Sequence, residues 1–168
     1  MDQIKIIVLT GVSGTGKTTI GKLLADQLDW PFYDGDDFQP PANLAKMTQG
    51  IPLDDRDREP WLQSLSHLLE GISAEGGHAV LACSLLKRAY REAVLSHRPG
   101  IRLVYLKGSP DLIASRLRTR LNHFFKVDLL ASQFQTLEEP DASEQAFTVV
   151  VDASPETIGA RIRELLAT

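Results

Sequence analysis

Gly11-Val-Ser-Gly-Thr-Gly-Lys17-Thr18 sets two glycines five positions apart and follows the second with lysine and a hydroxyl residue. That is the G-x-x-x-x-G-K-[ST] spacing of a loop that cradles phosphate. Over Gly11, Val12, Ser13, Gly14, Thr15 and Gly16 the chain can curl and turn its N–H groups inward, at the positive end of a helix dipole. Lys17 would reach the β- and γ-phosphates of ATP, and the Thr18 hydroxyl would ligate Mg²⁺. The plainer alternative is a chance glycine-rich turn. The flanks argue against it: Ile4–Leu9 is an apolar run of strand length, and Thr18–Leu28 carries Ile20, Leu23, Leu24 and Leu28 at helical spacing.

Asp34-Gly35-Asp36-Asp37 follows the second apolar run, Pro31–Tyr33. Two acids flanking a glycine can hold Mg²⁺ through water and accept a proton from a substrate hydroxyl. Asp34 is assigned to the Mg²⁺-bound water, and Asp36 is the base or orienting group. Alone the segment would read as a solvated Asx-Gly turn. Phosphoryl transfer depends chiefly on positioning and charge stabilisation, so Asp36 needs no unusual pKa.

The run Ala79–Ser84 ends without an acid. Motor-type ATPases and GTPases place a magnesium-supporting aspartate there, so those classes are disfavoured. Ser84 is small and leaves room for a substrate. Lys87 and Arg91 lie four apart and share a helix face. Cys83 reads as a small buried hydrophobe at a strand end.

Arg116, Arg118, Arg120, His123 and Lys126 surround Phe124-Phe125. A basic segment after a helix, with its own aromatics, suits a lid over about 118–138. It would close on ATP and bring Arg116 and Arg120, one turn apart, to the phosphates while expelling water. Between about 38 and 60 lies a polar, proline-punctuated stretch that reads as a substrate-binding excursion. Its charges nearly cancel. Arg56, Arg58, Lys87 and Arg91 are all candidates to take a carboxylate.

These residues need a scaffold that puts strand ends side by side. Apolar runs at Ile4–Leu9, Pro31–Tyr33, His78–Cys83, Arg102–Leu106 and Phe147–Val151 alternate with helical periods at Thr18–Leu28, Glu59–Ser73, Leu86–Ser96, Pro110–Arg120 and Pro155–Leu166. Ser109-Pro110-Asp111 and Ser154-Pro155-Glu156 each offer an N-cap, a proline at the first helical position and a first-turn acid. Alternating β and α predicts one α/β domain over 1–168, with a parallel sheet covered on both faces. Ligands bind such sheets at the carboxyl ends of the strands.

The composition is that of an ordinary globular chain, 43% hydrophobic and 24% charged. Net charge is −4 and no continuous basic stripe exists, so nucleic acid is not an expected partner. No apolar run is long enough to span a membrane. One cysteine excludes an intrachain disulfide, and Met1-Asp2-Gln3 lacks a signal peptide's regions. Both observations lead us to expect a cytoplasmic location.

Several longer segments resemble the gluconokinase family of small P-loop kinases. They are Gly11–Thr18, Asp34–Pro40, Asn43–Met47, Gly50–Asp54, Asp57–Leu62, Cys83–Arg88 with Tyr90-Arg91, Tyr105–Gly108, Arg120–Phe125 and Gln133–Pro140. The resemblance runs from about residue 6 to 152, and the Asn-to-Trp and His-Phe-Phe to Glu-Pro blocks are its most specific parts. It implies phosphorylation of D-gluconate at O6 by MgATP, giving 6-phosphogluconate. It also implies a three-layer α/β/α sandwich related to shikimate and nucleoside monophosphate kinases, with strand order 2-3-1-4-5 and a lid. A homodimer is common among such enzymes. Adenine would lie between the lid base and the loop at Ala153, Ser154 and Pro155. His123, uninformative by itself, joins the substrate side with Ser84. The chain departs from the family pattern at Gln39, Leu85 and Asn122, where His, Ala and Gly are usual. Other readings of the residues are a kinase of the same fold acting on another sugar acid, shikimate or a nucleoside monophosphate, and a nucleotide-binding protein without transfer activity.

Overall fold

The computed structural model describes residues 3–95, 98–119 and 127–168. Strand β1 (Ile6–Thr10) is buried at every position. Its neighbours explain why. β3 (Ala79–Ala82) pairs with it on one side and β4 (Ile101–Lys107) on the other, both parallel. β2 (Phe32–Asp34) extends the sheet beyond β3, and β5 (Phe147–Val150) extends it beyond β4. The order is β2-β3-β1-β4-β5, as the family resemblance implies.

Alternate residues of β1 feed two separate cores. Ile7 and Leu9 pack with Ile20, Leu24, Ile113, Ile158 and Ile162, from helices α1 (Lys17–Leu28), α5 (Pro110–Thr119) and α7 (Pro155–Leu166). Ile6 and Val8 pack on the other face with Trp61, Leu65 and Leu69 of α3 (Asp55–Ala74) and Tyr90 and Val94 of α4 (Arg88–Leu95). A parallel sheet buried on both faces needs continuous apolar runs rather than alternation, which is how β1 reads in sequence. Each of these nearly inaccessible side chains contributes roughly 1.5–3 kcal/mol of transfer free energy.

The stretch read as a substrate-binding excursion is largely helical. Pro40 and Pro41 begin α2 (Pro41–Thr48), with Pro41 in its first turn. α3 starts four residues before the expected Glu59. The Asp54 carboxylate accepts the Asp57 N–H, and the Asp57 carboxylate accepts the Asp54 N–H, a reciprocal cap that starts the helix there. Pro60 is tolerated because the carbonyl it leaves without a partner lies on an exposed turn. α6 (Val127–Thr136) follows the lid segment, of which residues 120–126, with Arg120 and His123, lie outside the described residues.

Candidate active site

The first element past β1 is the phosphate loop. Gly16 opens α1 at φ 91°, a left-handed conformation that a side chain would strain. Lys17 folds back so that its Nζ donates to the Gly11 and Val12 carbonyls, both at 2.9 Å. The Thr15 hydroxyl braces the same turn by donating to the Val12 carbonyl at 3.0 Å. Gly11, Val12 and Thr15 lie buried beneath the loop, while Ser13, Gly14, Gly16, Lys17 and Thr18 face a cleft. Burial lowers the Lys17 ammonium to about 8, with the nearby Asp36 charge pulling the other way.

The acid turn closes the second side of this cleft. Gly35 sits so near β3 that an added Cβ would fall 2.5 Å from the Cys83 Cβ, so only glycine lets the turn approach. The Asp34 carboxylate accepts the Asp36 N–H at 3.0 Å and lies 3.4 Å from the Thr18 hydroxyl. Thr18 of α1 and Asp34 at the end of β2 therefore meet as a candidate Mg²⁺ site. Among the described residues no group of three or more His, Cys, Asp or Glu converges. This donor set suits Mg²⁺, which keeps several waters and takes the rest of its shell from phosphate. Solvent reaches Asp36 through the cleft mouth. Loss of water to the cleft walls, and then the Asp34 charge, push its carboxyl above the ordinary range.

Ser84 is placed by a reciprocal pair between β1 and the end of β3. The Leu85 N–H donates to the Thr10 hydroxyl at 3.1 Å, and that hydroxyl donates to the Leu85 carbonyl at 3.3 Å. The cleft so formed encloses about 550 Å³ and gathers Lys17, Thr18, Asp34, Asp36, Arg58 and Ser84 on one rim of the sheet. Its outer wall is apolar, made of Met47, Ile51, Pro52 and Leu53 from α2 and the turn after it, facing Leu129 of α6.

The four candidate cations separate clearly. Arg91 is a correction: it is 1% exposed and forms a two-pronged ion pair with Glu144 at 2.6 and 2.9 Å. It also donates to the Leu85 and Leu86 carbonyls, so it fastens the turn after β3 rather than a ligand. Arg56 is exposed and lies off the cleft lining. Lys87 also lies off it, paired with Asp55 at 2.9 Å. Arg58 alone of the four lines the cleft, held by the Leu53 carbonyl at 2.7 Å and the Tyr90 hydroxyl at 3.1 Å.

Arg116 of α5 donates to the Val151 carbonyl, just past the end of β5. Ser154 caps α7 by accepting the Thr157 N–H at 3.2 Å. Neither Arg116 nor Ser154-Pro155 lines the main cleft.

Three further cleft residues make contacts that the sequence does not show. Trp61 is buried, and its indole N–H donates to the Gly35 carbonyl. Gln39 is buried and accepts from the Asn43 amide at 2.9 Å, which locks it against α2. Gln133 of α6 accepts the Ser13 N–H at 2.7 Å. The helical spacing of Leu129, Ser132, Gln133 and Thr136 would have shown the face, had α6 been expected.

The shikimate kinase family model matches residues 13–167. A probable gluconokinase of Xenopus tropicalis is 45% identical over 162 residues, covering 88% of this chain and 85% of its own. The chain belongs to the shikimate kinase family and, inside it, to the gluconokinases. A thermoresistant gluconokinase of Escherichia coli strain K12 is 43% identical over 145 residues, covering 86% of this chain and 83% of its own. The crystal structure of a gluconokinase from Sinorhizobium meliloti 1021 superposes with a TM-score of 0.85 at 36% identity, covering 99% of this chain and 98% of that one. Membership in the gluconokinases makes this chain a phosphotransferase that uses a nucleotide. No described helix is long and apolar enough to cross a membrane.

Proposed function

We propose that this protein transfers the γ-phosphoryl group of ATP to O6 of D-gluconate, giving ADP and 6-phospho-D-gluconate. The observation that carries the reading is the meeting of Lys17 and Asp36 across one cleft, in a chain whose relatives are named gluconokinases. Lys17 holds the β- and γ-phosphates and draws off negative charge as the bond to ADP lengthens. Asp36 accepts a hydrogen bond from the 6-hydroxyl and takes its proton as the new O–P bond forms and the old P–O bond breaks. Arg58 takes the gluconate carboxylate, and Ser84 lines the space between. Arg120 and His123 remain assigned to the lid and the substrate side by their place in the sequence. Thr18 and Asp34 would hold Mg²⁺, which when bound would neutralise negative charge on the phosphates. A cytoplasmic homodimer completes the reading, by resemblance to the family.

Coupled ADP release from MgATP tests the acceptor, with D-gluconate, shikimate, AMP and related sugar acids run in parallel. Turnover with D-gluconate well above the others supports the reading. Turnover with another acceptor alone keeps the fold and the phosphate loop and refutes the substrate. ATP binding without turnover on any acceptor favours a nucleotide-dependent binding protein.

A further inference from the structure

Gln133 and Lys17 grip the same peptide unit from opposite ends. The Val12 carbonyl accepts from the Lys17 ammonium at 2.9 Å, and the Ser13 N–H of that peptide donates to Gln133 Oε1 at 2.7 Å. Each contact strengthens the other, because a cation on the carbonyl makes the N–H a better donor. The Ser13–Gln133 bond spans 120 positions and joins the phosphate loop directly to α6. Both residues line the cleft with Lys17 and Asp36.

Chemistry fixes which way the amide faces. A backbone N–H must meet an oxygen, so Oε1 lies on Ser13 and the –NH₂ end is turned away from it. That end makes no other hydrogen bond among the described residues. It carries two donors, half-buried at the mouth of a loop built for phosphate. A carboxylate in the same place would repel phosphate, and an aliphatic residue would leave the Ser13 N–H unpaired. An amide both accepts from the loop and donates to an anion.

We propose that Gln133 binds the γ-phosphoryl group: latched on Ser13 through Oε1, it presents its –NH₂ to the phosphoryl oxygens on the side of the loop opposite Lys17. It neither gains nor loses a proton. This role rests on the reading of ATP as phosphoryl donor. It makes Gln133 a discriminator between ATP and ADP, since ADP has no γ-phosphoryl group to receive the donor.

Calorimetric titration of the full chain with ATP and with ADP, Mg²⁺ present and acceptor absent, measures the role without turnover. Gln133→Met removes the amide at similar length and without charge. The ratio of ADP to ATP dissociation constants should fall about tenfold in this variant, as expected for one hydrogen bond to a charged oxygen. A ratio within about twofold of wild type, whatever happens to the two affinities together, overturns the proposal. Should Gln133→Met not fold by thermal melting, Gln133→Asn withdraws the same amide by one methylene and should lower the ratio likewise. Failure of the wild-type chain to bind ATP at all would instead refute the kinase reading beneath it.

Discussion

Trp61 donates its indole N–H to the Gly35 carbonyl at 2.7 Å, so a core residue of α3 holds the turn that carries Asp34 and Asp36. The ring is 2% exposed and packs against Val8 and Leu81 of the sheet, which makes the anchor rigid. Trp61→Phe keeps most of the apolar contact and leaves the carbonyl without its donor. The variant should lose about 1–3 kcal/mol of stability by denaturant unfolding. Its kcat should fall more than its ATP affinity, because Asp36 loses its fixed position while the phosphate loop does not.

Lys17 ties activity and stability to pH in opposite directions. Burial lowers its ammonium from 10.5 to about 8 in the folded chain. Above about 8 the neutral amine offers phosphate no charge, so kcat/KM for ATP should decline through that pH. The unfolded chain keeps this proton up to the ordinary value. Between about 8 and 10.5 the unfolded state therefore binds more protons, and this group makes folding more favourable as pH rises. Thermal melting of the ligand-free protein should show that contribution, and Lys17→Met should remove it. Identical pH profiles for the two proteins would contradict the lowered value.

Arg91 and Glu144 should behave as a structural pair. Removing either partner leaves a charge in a site where Arg91 is 1% exposed. Arg91→Met should therefore cost about 3–5 kcal/mol of unfolding free energy. Where the variant still folds at low temperature, its KM for gluconate should stay near wild type. A large rise in KM with stability unchanged would return Arg91 to the substrate site.

Arg58 should show the opposite pattern. Arg58→Lys keeps the charge and loses the planar fork that suits a carboxylate. Steady-state kinetics should show the KM for gluconate rising about tenfold, the worth of one charge-assisted hydrogen bond, with KM for ATP little changed. Lys87→Met, which breaks the pair with Asp55 and the ammonium's contact with the Tyr90 ring, should leave the gluconate KM nearly intact. Sensitivity of Lys87 in place of Arg58 would reverse the assignment.

What could be read from sequence followed from how local its cause was. In the Gly11–Thr18 loop the same few residues set both the conformation and the chemistry, so spacing alone was informative. Asp34 and Asp36 stood out because they adjoin in the chain, although what demands the glycine between them is Cys83, far along the chain. Arg91 and Arg58 could not be told apart, because Glu144, 53 positions from Arg91, decides which of them is consumed. The prolines of the 38–60 stretch misled for a related reason. Pro41 marks a helix start as readily as a loop, and the Asp54–Asp57 cap was hidden among other charges. Gln133 lies in a segment that carries the family resemblance, but its role could not be read locally, since its partner lies 120 residues away.

Asp36→Asn tests the central claim most directly, because it removes the proton acceptor while keeping the side chain's shape. The measurement is its kcat with MgATP and D-gluconate, set beside its ATP affinity. Loss of a positioned base should lower kcat about 10²–10⁴-fold while ATP affinity stays near wild type. Turnover at the wild-type rate would remove Asp36 from the reaction, and with it the account of phosphoryl transfer across this cleft.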